Sequence, residues 1–143
     1  MSEFAKPMTR GKAEEISLFA IYDLLIYNEM GEVAEVETIV SGLSARPYEE
    51  VDVYIKRMLV AFLKHSQEIV DCYQAKMNKW KFSRLNKVEQ AILFLAYCHF
   101  YYDSEEVAKA VVINFSVSFA KKYLGPEDYK FVNGILDKVL VRE

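Results

Sequence analysis

Two histidines and two cysteines are the only side chains in this 143-residue sequence suited to soft metal binding or thiol chemistry, and their placement favours neither. Cys98 and His99 are adjacent, so on a helix they diverge by about 100° and do not readily share a metal. Cys72 and Cys98 are widely spaced in apolar surroundings, which reads as two buried free thiols of a cytosolic protein rather than a disulfide framework. His65 stands apart from all of them. There is no glycine-rich phosphate loop, no His-Glu-x-x-His pair and no nucleophile elbow. The acids are spread over helix surfaces as solvated faces. These residues imply no enzyme, no cofactor and no metal.

Binding chemistry is better represented. The arm Lys6-Pro-Met-Thr-Arg10-Gly-Lys12 carries three cations leading into a helix, where they can grip phosphates, Arg10 bidentately. A solvated tail is the alternative reading of the same residues. Lys121, Lys122 and Lys130 could extend the patch, or Lys121 and Lys122 could serve a helix C-terminus through its dipole. The net charge of −3 gives no global attraction to nucleic acid, so any contact must come from such a local patch. The aromatic run Tyr97-Cys-His-Phe-Tyr-Tyr102 invites base stacking, but consecutive helix residues point all round. Phe100 and Tyr101 therefore read as packing residues.

The elements that must position these groups are helices. A hydrophobic share of 52% with five glycines and three prolines argues against disorder and against a turn-rich β fold. The longest apolar runs, such as Ala91 to Cys98, are too short to span a bilayer, and the first twelve residues lack the apolar core of an export signal. A cytoplasmic protein with no membrane segment is expected. From Ala13 to Tyr27, Ile16, Phe19, Ala20, Leu24 and Tyr27 share one face. Gly31 interrupts, and Val33 to Val40 forms a short acidic helix closed by Gly42. Arg46-Pro47 opens another, with Val51, Ile55, Met58, Leu59 and Phe62 as its buried stripe. His65-Ser66 suggests a break before Ile69, Tyr73 and Met77. Asn86-Lys-Val-Glu89 has the form of a capping box, starting a helix that runs to Tyr102. Asp103-Ser-Glu-Glu106 repeats the device before Val107 to Tyr123. Gly125 supplies a left-handed stop, and Pro126 starts the last helix with Glu127 and Asp128 in its first turn. No segment alternates long enough for a strand. The fold class is all-α.

Asn133-Gly134 is a hairpin signal by type, yet Val132, Ile135, Leu136 and Val139 follow the spacing of one helix face. The helical reading prevails because no strand exists to complete a sheet. Gly134 is then expected where another helix backbone passes close, holding Lys130 and Phe131 in place, with mere tolerance as the alternative.

Four segments occur in order and at spacings that mark a family. They are Asn86-Lys-Val-Glu-Gln-Ala-Ile-Leu93, Val111-Val-Ile-Asn114, Phe119-Ala-Lys-Lys-Tyr123 and Lys130-Phe-Val-Asn-Gly-Ile-Leu-Asp137. With Phe19-Ala-Ile-Tyr22 after the basic arm, the chain resembles the NusB family of bacterial transcription antitermination factors. The resemblance implies an all-helical bundle of about seven helices in one domain, 1–143. Its parts would be an arm (1–12), an N-terminal subdomain (13–78) and a C-terminal one (79–143). It implies a non-enzyme that pairs with the ribosomal protein NusE, holds boxA-type RNA and tethers the complex to RNA polymerase during ribosomal RNA synthesis. Some members also form homodimers. Lys6, Arg10 and Lys12 then belong to the RNA-binding arm, Lys130 and Phe131 to the RNA surface, and Tyr22 and Glu89 to the NusE-facing surface.

The departures are specific. Gly11 and Glu14 stand where the family usually has arginines, which weakens the phosphate grip and its salt dependence. Phe94 and Phe115 replace a family Arg–Glu pair, and a ring contact between them is expected in its place. The junction Gly125-Pro-Glu-Asp-Tyr alters the RNA-facing loop. Two alternatives follow: a NusB-like scaffold or homodimer binding only protein, and an accessory module of an RNA cytosine methyltransferase, whose enzyme would be a second polypeptide.

Overall fold

The apolar segments assemble as six α-helices and two 3₁₀ turns, with no strand among the described residues, in a computed structural model that describes residues 7–142. The helices are α1 (Arg10–Glu29), α2 (Val36–Ser44), α3 (Val53–Gln74), α4 (Lys87–Tyr101), α5 (Lys109–Tyr123) and α6 (Pro126–Val139). The 3₁₀ turns, Tyr48–Glu50 and Phe82–Arg84, precede α3 and α4. No helix among the described residues is long and apolar enough to cross a membrane.

Local chemistry sets most of the ends. Thr9 Oγ1 accepts the Lys12 N–H at 3.2 Å to open α1, and Gly31 takes φ 74° just past its end. Asp52 caps α3 by accepting the Tyr54 N–H at 2.8 Å, and Asn86 caps α4 by accepting the Glu89 N–H at 2.8 Å. Pro126 occupies the first turn of α6, where its missing N–H costs nothing.

α4 is the centre of the molecule. Every residue from Glu89 to Phe100 is buried, because α1, α3, α5 and α6 all pack on it. A helix apolar all round needs such cover. Ile16, Leu18 and Ile21 of α1 and Ile55, Met58 and Leu59 of α3 complete the core. On α5 the buried positions are Val112, Ser116 and Ala120, small residues one turn apart. The Ser116 hydroxyl is satisfied by donating to the Val112 carbonyl at 2.8 Å. The last described residues return to α4. The Tyr101 hydroxyl lies 2.9 Å from the Val139 carbonyl and accepts the Val141 N–H at 3.0 Å. The Arg142 guanidinium stacks 3.8 Å over Phe100 and donates to the carbonyls of Phe100 and Val107.

Several local expectations are corrected. α2 runs through Gly42 and closes at Ala45, whose φ of 58° supplies the left-handed turn, because Leu43 packs on the core and carries the helix past the glycine. Arg46-Pro47 leads only into the 3₁₀ turn, and α3 starts at Val53. α3 does not break at His65-Ser66; the His65 ring stacks on Tyr102 at 4.2 Å, which anchors the helix there. Asp103 does not cap α5, which begins at Lys109 without a side-chain cap, because its carboxylate is engaged elsewhere. Gly125 has φ −96°, and its N–H donates to the Asp128 carboxylate at 3.3 Å as the N-cap of α6 rather than ending α5 left-handed. Cys98 is buried but Cys72 is exposed.

Two tertiary expectations also fail. Phe94 meets Phe62 at 4.8 Å and Phe82 at 5.3 Å, whereas Phe115 meets His99 at 4.9 Å and Phe119 at 5.7 Å. The two rings serve different sides of α4, so neither replaces an ion pair with the other. Gly134 is helical but exposed, and a methyl group there would meet nothing within 4 Å. No helix crosses close to it.

Candidate nucleic-acid and partner interface

Lys6 lies outside the described residues. Arg10 begins α1 with its guanidinium 4.2 Å over the Tyr54 ring and 3.6 Å from Asp103, whose side chain is 6% exposed. Asp103 also takes Arg57 at 3.4 Å and faces His99 Nε2 at 3.4 Å. Burial pushes His99 down to about 4, so at neutral pH the ring is uncharged. One nitrogen of a neutral imidazole donates and the other accepts; Nδ1 shares a hydrogen bond with the Tyr54 hydroxyl at 3.2 Å while Nε2 faces Asp103. Burial likewise raises the neighbouring Glu14 carboxyl above its usual range.

Lys12 is also committed. Its ammonium is 3.4 Å from Glu15, which receives Lys122 at 3.1 Å and the Tyr123 hydroxyl at 3.3 Å. The two lysines, Lys122 first and then Lys12, hold Glu15 below the usual carboxylate range. Glu15 thus ties the start of α1 to the end of α5, and both lysines spend charge on it. Lys130 and Phe131, adjacent on α6, diverge. Lys130 is exposed and lines a groove between α5 and α6 with Lys121 and Tyr129. Phe131 is half-buried against the core and does not line it.

Tyr22 lines a small, mainly apolar cleft of about 220 Å³ with Leu18, Phe19, Val88, Ala91 and Tyr123. Phe19 and Tyr123 meet edge to face at 5.6 Å across it. Glu89 lies outside this cleft. It is 4% exposed, and its Oε2 is buried with no hydrogen-bond partner. Half of the expected capping box is therefore absent: Asn86 accepts from the Glu89 N–H, but the carboxyl turns inward toward Asp128 instead of reaching back. Burial first, and then the nearby Asp128 charge, raise the Glu89 carboxyl to about 7. A larger depression of about 460 Å³, walled by Leu24, Phe62, Val70 and Phe94 among others, includes none of the expected site residues.

The sequence reading missed Asp103, Glu15 and Tyr54, the groups that fix the arm's cations. Only the Lys12–Glu15 pair, three residues apart, is local; Arg10 reaches Tyr54 and Asp103 from a distant part of the chain, Arg57 meets Asp103 across 46 positions, and Lys122 meets Glu15 across 107. Among the described residues, no group of three His, Cys, Asp or Glu side chains is placed to hold a metal.

The NusB family profile matches residues 12–141. The transcription antitermination protein NusB of Bacillus mycoides (strain KBAB4) is 30% identical over 133 residues, covering 92% of this chain and 97% of that protein. Its counterpart in Clostridium botulinum (strain Loch Maree) is 28% identical over 142 residues, covering 93% and 100%. Among solved structures, T. maritima NusB superposes with a TM-score of 0.77 at 21% identity, over 94% of this chain and 92% of that one. At that identity the superposition speaks for the fold alone.

Proposed function

Because the chain belongs to the NusB family, we propose that it is a cytoplasmic, RNA-binding transcription antitermination factor. It pairs with NusE and holds boxA-type RNA in a complex with RNA polymerase during ribosomal RNA synthesis. The observation that carries this reading is the family match, which spans both candidate surfaces from Lys12 onward. Lys6, Arg10, Lys12, Lys130 and Phe131 contribute the RNA surface and Tyr22 the NusE-facing one, which Glu89 joins on NusE binding by turning its now buried carboxyl outward. On RNA binding, Arg10 and Lys12 exchange Asp103 and Glu15 for phosphates, which weakens their net contribution. Tyr22 acts through the apolar cleft it shares with Phe19 and Val88.

A second reading is a protein-only scaffold or homodimer. The ion pairs of Arg10 and Lys12 favour it, because they neutralise the arm in the free protein. Titrating boxA-type and scrambled RNA with the protein, alone and with NusE, separates the two. A boxA preference in the pair is expected; its absence there leaves the protein-only reading.

A further inference from the structure

Cations on this side of the molecule fall into two groups. Arg10, Lys12 and Lys122 each have a carboxylate partner. Among the described residues Lys121 and Lys130 have none: Lys121 rests 4.9 Å over the Tyr129 ring, and Lys130 lines the same groove without an ion pair. Both line the α5–α6 groove, about 380 Å³ in volume, together with Asn114, Ser118, Tyr129 and Asn133. The side-chain amides of Asn114 and Asn133 are exposed and hydrogen-bonded to nothing among the described residues. Outside the groove, Lys109 ties α5 to α6 by bonding the Asp137 carboxylate at 3.1 Å and its carbonyl at 2.7 Å. The one anion close to Lys130 on its own helix, Glu127, is not within ion-pair distance of it.

We propose that this groove binds one nucleotide unit of single-stranded RNA, with Lys121 and Lys130 on its phosphate and Asn114 and Asn133 on the edge of its base. This rests on the RNA-binding reading and relocates its main electrostatic contact from the arm to the groove. The chemistry suits a nucleotide. Two unpaired cations at one end attract an anion. Two amides further along each offer a donor and an acceptor, which matches a base edge, and the Tyr129 ring offers an apolar face at the phosphate end. An acidic peptide would meet the same lysines and offer its backbone to the amides, and a NusE titration without RNA separates that occupant from a nucleotide.

The test is a fluorescence anisotropy titration of a labelled single-stranded boxA oligonucleotide over a salt series, with NusE present. Three paired variants are compared with the unaltered protein: Lys121→Ala with Lys130→Ala, Asn114→Ala with Asn133→Ala, and Arg10→Ala with Lys12→Ala. All six positions are at the surface, and thermal melts confirm that each variant folds. Each phosphate contact to a single strand contributes about 0.7 to the slope of log K against log salt, so the lysine pair should lower that slope by up to about 1.4. The arm pair should lower it by less than half as much. The asparagine pair should leave the slope alone and reduce the preference for boxA over scrambled RNA about tenfold.

If the unaltered protein binds RNA but the lysine pair keeps its full slope, the groove assignment falls while the RNA-binding reading stands. If the unaltered protein binds no RNA, both fall. If the lysine pair weakens NusE binding in the absence of RNA, the groove is a protein site and the assignment is overturned. Free adenosine monophosphate is the competitor; displacement as effective as by RNA would assign the groove to a mononucleotide instead.

Discussion

Replacing Gly134 with alanine should make this protein more stable, although the Asn-Gly pair sits in one of the segments that mark its family. The reasoning is local. Gly134 lies inside α6 and is not among the described residues with positive φ, which are Gly31 and Ala45. Alanine therefore meets no backbone strain, and its methyl group meets no atom within 4 Å. What remains is the intrinsic difference between the residues in a helix, about 0.8 to 1.0 kcal/mol in favour of alanine. For a domain of this size that corresponds to a rise in Tm of about 2 to 4 °C. Guanidinium denaturation should show a higher midpoint with an unchanged m-value, since the exposed surface of neither state changes much. Gly134→Leu should behave almost as well, because the side chain projects into solvent. Ala120→Leu provides the contrast: that residue is fully buried on α5, and overfilling its site should cost about 1 to 3 kcal/mol. If Gly134→Ala instead lowers the midpoint, the open surface assigned to that side of α6 is wrong and a close helix crossing must exist there.

Glu89 should make stability fall with pH. Its folded-state carboxyl is raised to about 7 from the ordinary 4.5, so between those values the unfolded chain has lost a proton that the folded chain keeps. Stability then declines from about pH 4.5 to 7 and levels off above; Glu89→Gln should remove a loss of about 1 to 3 kcal/mol and show its advantage at pH 8, not at pH 4.5. Equal pH profiles for the two proteins would place the carboxyl in water. The thiols should also separate cleanly. Alkylation of the native protein followed by peptide mapping should label the exposed Cys72 and spare Cys98, which is fully buried and whose thiol is pushed up to about 12. Labelling of Cys98 without denaturant would contradict the burial of α4.

What could be read from the sequence was what neighbouring residues decide among themselves. Asn86 as a cap, Gly31 as an interruption between helices and Pro126 as a helix start depend on a few adjacent backbone groups, and all three stand. The helical class followed from periodicity for the same reason. α4 shows where this reasoning stops: with every residue from Glu89 to Phe100 buried, no face is distinguished, and the direction of Phe94 cannot be inferred. Asp103 was read as a local cap because its sequence neighbours suit one, whereas its partners come from α1 and α3. Similarly, the arm's charge looked available because Glu15 appeared to be a solvated acid, with its role toward Lys122 hidden by chain distance. The groove between α5 and α6 needed two helices in register before Asn114 and Asn133 could be seen together.

The strap that Tyr101 and Arg142 make over the end of α4 bears on how the protein is born. Arg142 reaches the Phe100 carbonyl across 42 positions of chain, and α5 and α6 lie between. During synthesis α4 therefore leaves the ribosome well before half of its cover exists. At about 5 to 20 residues per second, its apolar surface waits roughly 2 to 8 s for α5, α6 and the strap. In that interval the nascent chain is an open helical layer rather than a bundle, exposed to chaperone capture and to pairing with other unfinished chains. Slowing translation between Tyr102 and Arg142 would lengthen that window without altering the finished fold.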